Sequence, residues 1–264
     1  MVLTQQRTDA WLRQVTDCPA DDAASLICFP HAGGSARYYF PLMGSLNGMD
    51  VAVVQYPGRD DRRLESPVAS IAVLADEIAG AILDGPPRPR LGLFGHSMGA
   101  LVAFEVALRL SGAGRSPEHL FVSASPAPSC ARGARIRQRT DGEVAAELAL
   151  LGGCSHDAAI ERALMSIIMP VLRNDFRAVE TYRPSTGMAL DCPVTALIGS
   201  ADPRTSSRQA RAWSSVTTGR FALRLFAGNH FYINEQAAQV TDVIQRELGA
   251  GRPAGSRPGA PLPR

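Results

Sequence analysis

Lysine is missing from this 264-residue chain, and all 27 basic residues are arginine. That absence removes Schiff-base catalysis, a Walker A phosphate loop and any Ser-Lys dyad. Cysteine is scarce and odd in number, at positions 18, 28, 130, 154 and 192, with no CxxC pair. Neither a disulfide framework nor a zinc site is read from that spacing, and idle thiols in a reducing compartment are expected. Net charge is also small, formally +2, and no basic run carries interleaved aromatics, so a nucleic-acid partner is not expected. No apolar run approaches the roughly 20 residues of a membrane span, and MVLTQQRTDAWLRQ lacks the apolar core of a signal peptide. A cytoplasmic protein that does not engage membranes is the expectation.

What is present is an ordinary globular balance, 45% apolar and 20% charged, sufficient for one large α/β domain. Short apolar runs occur at 26–29 (LICF), 51–54 (VAVV), 91–94 (LGLF), 120–123 (LFVS), 194–198 (VTALI) and 221–226 (FALRLF). Their nearly continuous apolarity predicts strands buried on both faces. Helix-period segments lie between several of them, SIAVLADEIAGAIL from 70, MGALVAFEVALRL from 98 and EQAAQVTDVIQREL from 235. Alternation of this kind predicts an α/β fold, a mostly parallel sheet flanked by helices, in a single domain over 1–248. About seventy residues between the runs at 120 and 194 break the rhythm and carry helical patterns of their own, DGEVAAELALL and AAIERALMSIIMPVL. A helical lid over about 127–186 is expected, the alternative being a subdomain that only enlarges the core. Its apolar positions Leu164, Ile167, Ile168, Val171 and Leu172 are candidates to roof a channel, or plain core. The tail 249–264, rich in Gly, Pro and Arg, is expected to be disordered.

Within LGLFGHSMGALVAFE, Ser97 stands between Gly95 and Gly99 where a predicted strand runs into a predicted helix. A nucleophile elbow has this form, because the turn brings strand and helix backbones together and only small residues fit beside it. The helix N-terminus there favours the negative charge that develops in acyl transfer. A serine hydroxyl needs a base, and the base needs a carboxylate to fix its tautomer, in the chain order serine, acid, histidine. Of the three histidines after Ser97, His119 precedes its strand and His156 lies in the insertion. His230 follows FALRLF at the strand's carboxyl end and is the candidate base. Asp202, after VTALI, is the candidate acid; Asp191 precedes that strand, and the run at 120 ends in SASPAPS without a carboxylate. An oxyanion hole is expected from the backbone N–H groups of Met98 and of Ala32, the latter in LICFPHAGGSA, with His31 either shaping that loop or merely packing.

At this point the chain resembles the type II thioesterases that accompany polyketide synthases and nonribosomal peptide synthetases, a branch of the α/β-hydrolase fold. The resemblance rests on FPHAGGSA from 29, VQYPGRDDR from 54, GHSMGALVAFE from 95, MPVLRNDFRAVETYR from 169, GSADPR from 199 and WSSVTTGRFALRLFAGNHF from 213. Together these span roughly residues 11–248. The resemblance implies hydrolysis of aberrant or stalled acyl groups from the phosphopantetheine arm of an acyl or peptidyl carrier protein, through an acyl-enzyme intermediate. It implies Ser97 as nucleophile, His230 as general base then acid, Asp202 as orienting acid, and oxyanion amides at Ala32 and Met98. No cofactor of the protein's own and no metal are implied. GNHF departs from the commoner GGHF, putting Asn229 in the loop before His230.

Arg132, Arg135, Arg137 and Arg139 open the insertion, either as a contact for an acidic carrier protein or the pantetheine phosphate, or as a solvated loop. Two other functions remain open on the same scaffold or fold: a chain-releasing thioesterase or carboxylesterase, and a catalytically inactive hydrolase-fold binding protein. The start at Met1 favours a freestanding enzyme over a synthase-fused one.

Overall fold

The run Ser25–Phe29 (SLICF) is buried at all five positions because it lies inside a sheet, between Asp50–Val54 and Leu91–His96. These are β2, β3 and β4 of a seven-stranded sheet. The others are β1 (Leu12–Thr16), β5 (His119–Ser123), β6 (Val194–Gly199) and β7 (Phe221–Phe226), in the order β1-β3-β2-β4-β5-β6-β7. The computed structural model describes residues 10–16, 23–88, 90–130, 140–151, 158–185 and 189–249, with backbone alone at 147, 149 and 158–167. All neighbouring strands run parallel except β1, which pairs antiparallel with β3. The seven α-helices among the described residues are α1 (Ala36–Met43), α2 (Ile71–Asp84), α3 (Met98–Gly112), α4 (Asp141–Leu150), α5 (Ala158–Thr181), α6 (Ser207–Arg211) and α7 (Ala237–Gly249). No described helix is long and apolar enough to cross a membrane.

Six strands coincide with apolar runs in the sequence; β1 does not. Only one of its residues is fully buried, so its pattern is that of an edge strand rather than a continuous apolar run. For the same reason β7 corrects the expectation of burial on both faces. It has β6 as its single neighbour, and Arg224 and Leu225 face solvent. Gly249 closes α7 instead of opening a tail, and residues 250–264 lie outside the described ones.

Helix α2 begins at Ser70, whose hydroxyl accepts the Val73 N–H at 3.3 Å. It buries Ile71, Leu74, Ala75, Ile78 and Ile82, an i, i+3, i+4 stripe that packs on α3. Helix α3 is apolar almost all round because it lies between α2 and the sheet. Each large apolar side chain so buried contributes about 1.5–3 kcal/mol.

One charged residue, Glu105, is nonetheless buried on α3, and it is fully engaged. It accepts from Arg109 Nη1 (2.7 Å), Tyr182 Oη (2.8 Å), Ser185 N (3.1 Å) and Ser185 Oγ (2.8 Å). Burial alone would raise its pKa, but these hydrogen bonds outweigh it and hold the carboxyl below its ordinary value. The C-terminal end of the insertion is thereby tied to the central helix.

The chain leaves β2 for β3 on one side and returns to place β4 on the other, so the strand order reverses between β2 and β4. Open parallel sheets collect their sites at the carboxyl ends of strands beside such a reversal. The segments following β2 and β4 are the loop 30–35 and Ser97.

Candidate active site

Ser97 occupies the single residue between β4 and α3, with φ 55 and ψ −117. A non-glycine residue there is strained, and the strain holds the side chain on the outside of a sharp bend. The bend demands glycine on both sides. A Cβ on Gly95 would stand 2.2 Å from Gly99 O, and one on Gly99 would stand 2.0 Å from Phe29 O. The turn is fixed further by Ser97 N–H donating to Ser123 O at 2.8 Å.

His230 follows β7 and is 3% exposed. Its Nε2 lies 3.0 Å from Ser97 Oγ, and its Nδ1 lies 3.0 Å from Asp202 Oδ2. Asp202 follows β6, and its side chain is completely buried. Its other oxygen, Oδ1, accepts the Arg204 N–H at 2.8 Å, which leaves Oδ2 aimed at the imidazole. The two loops meet closely, since a Cβ on Gly199 would lie 2.1 Å from Asn229 O. Asn229 fits the loop without displacing His230: its Oδ1 accepts the Phe231 N–H at 2.9 Å.

Behind the imidazole runs a buried polar relay that no local sequence pattern announces. His96 Nδ1 lies 2.9 Å from Ser123 Oγ, which lies 2.7 Å from Tyr232 Oη. It joins the end of β4, the end of β5 and the histidine loop. Burial, then the neighbouring His230 and His31, push His96 well below the ordinary histidine pKa, so it stays uncharged. His31 behaves alike, pushed down to about 3 by burial, His230 and Arg59. It shapes its loop: Nδ1 lies 2.7 Å from Tyr39 Oη, and its ring fills the space where a Gly34 Cβ would go.

Ala32 sits on the loop after β2 and Met98 is the first residue of α3. Among the described residues neither N–H has a hydrogen-bond partner. The insertion between β5 and β6 contributes α4 and α5, whose Val144, Met169, Leu172 and Phe176 form a separate apolar cluster with Ala32 packed against it. Leu172 is thus core to that cluster, and Ile168 and Val171 are half-buried. The side chains of Leu164 and Ile167, and Arg132, Arg135, Arg137, Arg139 and His156, lie outside the described residues. His119, at the start of β5, is at the opposite end of the sheet from Ser97, and Asp191 stands before β6.

A hydroxyl within reach of a histidine, itself within reach of a buried carboxylate, is an arrangement able to deprotonate the serine for attack on a carbonyl. A family profile for the thioesterase domain matches residues 24–248. The chain belongs to the thioesterase family. It is similar to the probable cadicidin biosynthesis thioesterase of Streptomyces griseus, 40% identical over 92% of this chain and 67% of that one. It is also similar to thioesterase PikA5 of Streptomyces venezuelae, 38% identical over 90% of this chain and 85% of that one. Among solved structures, the type II thioesterase BorB from the borrelidin biosynthetic cluster matches with a TM-score of 0.84 and 43% identity, covering 91% of this chain and 98% of that one. This thioesterase therefore falls in the type II group and has the α/β-hydrolase fold.

Proposed function

We propose that this thioesterase hydrolyses aberrant or stalled acyl groups from the phosphopantetheine arm of acyl or peptidyl carrier proteins, working in the cytoplasm beside the synthase it serves. The observation that carries the reading is the imidazole of His230, 3.0 Å from both Ser97 Oγ and Asp202 Oδ2. Ser97 Oγ attacks the thioester carbonyl as its proton passes to His230 Nε2. Asp202 holds the Nδ1 proton and stabilises the imidazolium. The carbonyl oxygen becomes an oxyanion received by the Ala32 and Met98 N–H groups. Collapse breaks the C–S bond, the pantetheine sulfur takes the proton from His230, and an acyl-Ser97 ester remains. Water, deprotonated by His230, then attacks that ester and releases the carboxylic acid, returning the proton to Ser97. The sequence of steps needs no cofactor.

The carrier-protein preference rests on similarity to YbtT, a type II thioesterase from the yersiniabactin NRPS/PKS biosynthetic pathway. The test loads one short acyl group on a carrier protein, on a small thiol and on an alcohol, and compares the protein with its Ser97→Ala variant. Faster turnover of the carrier thioester, abolished by the substitution, is expected. Equal turnover of the alcohol ester would mark a general esterase, and no turnover of any of the three would mark an inactive binding protein.

A further inference from the structure

Asp175 lies on α5, in the insertion, and takes no part in the triad, yet its side chain is 1% exposed and paired with Arg59, 6% exposed. Both residues converge on the loop that carries Ala32. Asp175 Oδ2 accepts the Gly33 N–H at 2.7 Å and a hydrogen bond from Arg59 Nη2. Arg59 Nε donates to Gly34 O at 3.0 Å, Nη1 donates to Pro57 O at 2.7 Å, and the guanidinium lies 4.9 Å over the Tyr56 ring. The loop is held elsewhere by its own side of the sheet: Tyr56 Oη to Pro30 O, the His31 N–H to Tyr39 Oη, and the Ala36 N–H to Gln55 Oε1. Among the described residues Gly33 is the loop position whose backbone is hydrogen-bonded from the insertion, at φ 75, a conformation open to glycine without steric cost. The Gly34 N–H closes the turn on His31 O at 2.9 Å, which sets the plane of the peptide bearing the Ala32 N–H.

A buried ion pair is seldom the most stabilising way to fill a core, since an apolar pair of similar volume does as well. What directed bonds add is angle. Here the angle belongs to the peptide next to the proposed oxyanion amide, and Leu172 reinforces it by packing 3.1 Å from where a Gly33 Cβ would lie. Lifting α5 would strip the Gly33 N–H of its acceptor and leave Arg59 buried with an unpaired charge.

We propose that Asp175 is a positioning residue which, with Arg59, makes the aim of the Ala32 N–H depend on the seating of helix α5. The insertion thereby sets the catalytic competence of the oxyanion loop as well as covering it. This inference rests on the oxyanion role of Ala32 in the proposed function.

The test uses the full-length protein and an acyl thioester of N-acetylcysteamine, with Asp175→Asn, Asp175→Ala, Arg59→Gln and the double variant Asp175→Ala/Arg59→Gln. All variants are assayed at one temperature, at least about 20 °C below the lowest unfolding midpoint among them, so that loss of stability does not register as loss of rate. Loss of one oxyanion donor costs about 10²–10³ in kcat, and Asp175→Ala is expected to approach that with KM within about threefold. Asp175→Asn, which keeps an acceptor for Gly33, should lose about tenfold. The double variant should be no worse than the worse single. Affinity for an alkyl boronic acid, whose adduct on Ser97 places an oxygen in the same hole, should fall in step with kcat. Folded variants with kcat within about threefold of the parent, losses confined to KM, or independent multiplicative losses would overturn the proposal. If Asp175→Ala does not fold, Asp175→Asn and Arg59→Gln decide by the same criteria. A Ser97→Ala variant that still turns the thioester over would sink the functional reading, an outcome separate from these.

Discussion

His230 Nε2 stands 3.0 Å from Ser97 Oγ across 133 residues of sequence. In the proposed mechanism the two belong to one proton-transfer unit, so their losses should not add. Ser97→Ala and His230→Ala are each expected to lower kcat by about 10⁴ or more, and the double variant by no more than the worse single. Asp202→Asn should cost about 10⁴ by favouring the wrong imidazole tautomer. Steady-state kinetics on a thioester check all three, and a double loss equal to the product of the singles would contradict the unit.

Strain at Ser97 gives a prediction about stability. At φ 55 and ψ −117, Ser97 carries about 1–3 kcal/mol of backbone strain that alanine retains and glycine relieves. Glycine gives back about 0.4–1 kcal/mol through the freer unfolded chain. Ser97→Gly should therefore be more stable than Ser97→Ala by about 1 kcal/mol in urea unfolding. Equal midpoints, or a more stable alanine variant, would contradict the strain.

That Ser97, Asp202 and His230 meet is legible in the sequence because each stands just beyond an apolar run, which places all three at the carboxyl edge of a parallel sheet. The glycines around Ser97 were legible for a related reason: close backbone approach tolerates no side chain. Asp175 and Arg59 were not legible. Their partnership spans 116 residues and depends on how an insertion helix folds back over a distant loop, which no local pattern encodes. Strand β1 escaped because an edge strand buries too little to show a continuous apolar run. The helical pattern AAIERALMSIIMPVL runs through Pro170 and stops at Leu172; the extension of α5 to Thr181 escapes it because the polar run Arg173, Asn174, Asp175 interrupts the apolar periodicity. The relay from His96 through Ser123 to Tyr232 joins three strand ends whose adjacency follows only from the sheet order.

Glu105 tests the tie between insertion and core. Removing it leaves the buried Tyr182 hydroxyl and the Ser185 N–H without their acceptor, while Arg109 keeps its pair with Asp76, so Glu105→Ala is expected to cost about 2–3 kcal/mol in chemical denaturation. Asp242→Asn, which breaks an exposed pair with Arg246, should change stability by no more than about 0.5 kcal/mol. Similar effects at the two sites would contradict the account of Glu105.

His119 gives the acid dependence of stability a defined part. It is stacked on Phe121 and bonded to Thr195 Oγ1 at 2.9 Å, and burial pushes its pKa down to about 4. The unfolded chain binds a proton there below about pH 6.5 while the folded protein does not, so stability falls as pH drops from about 6.5 to about 4. The His119→Gln variant should lose up to about 1.4 kcal/mol per pH unit of that slope. An unchanged slope in urea midpoints across that window would show that His119 is protonated in the folded state.

Acyl transfer through Ser97 leaves a covalent trace that rapid acid quenching followed by peptide mass spectrometry can capture. Within the first turnover of an acyl-loaded carrier protein, an adduct of the acyl mass is expected on the peptide bearing Ser97, rising and then decaying as the free acid appears. Release of acid at the full rate with no such adduct, or with the acyl group on another residue, would contradict acyl transfer through Ser97.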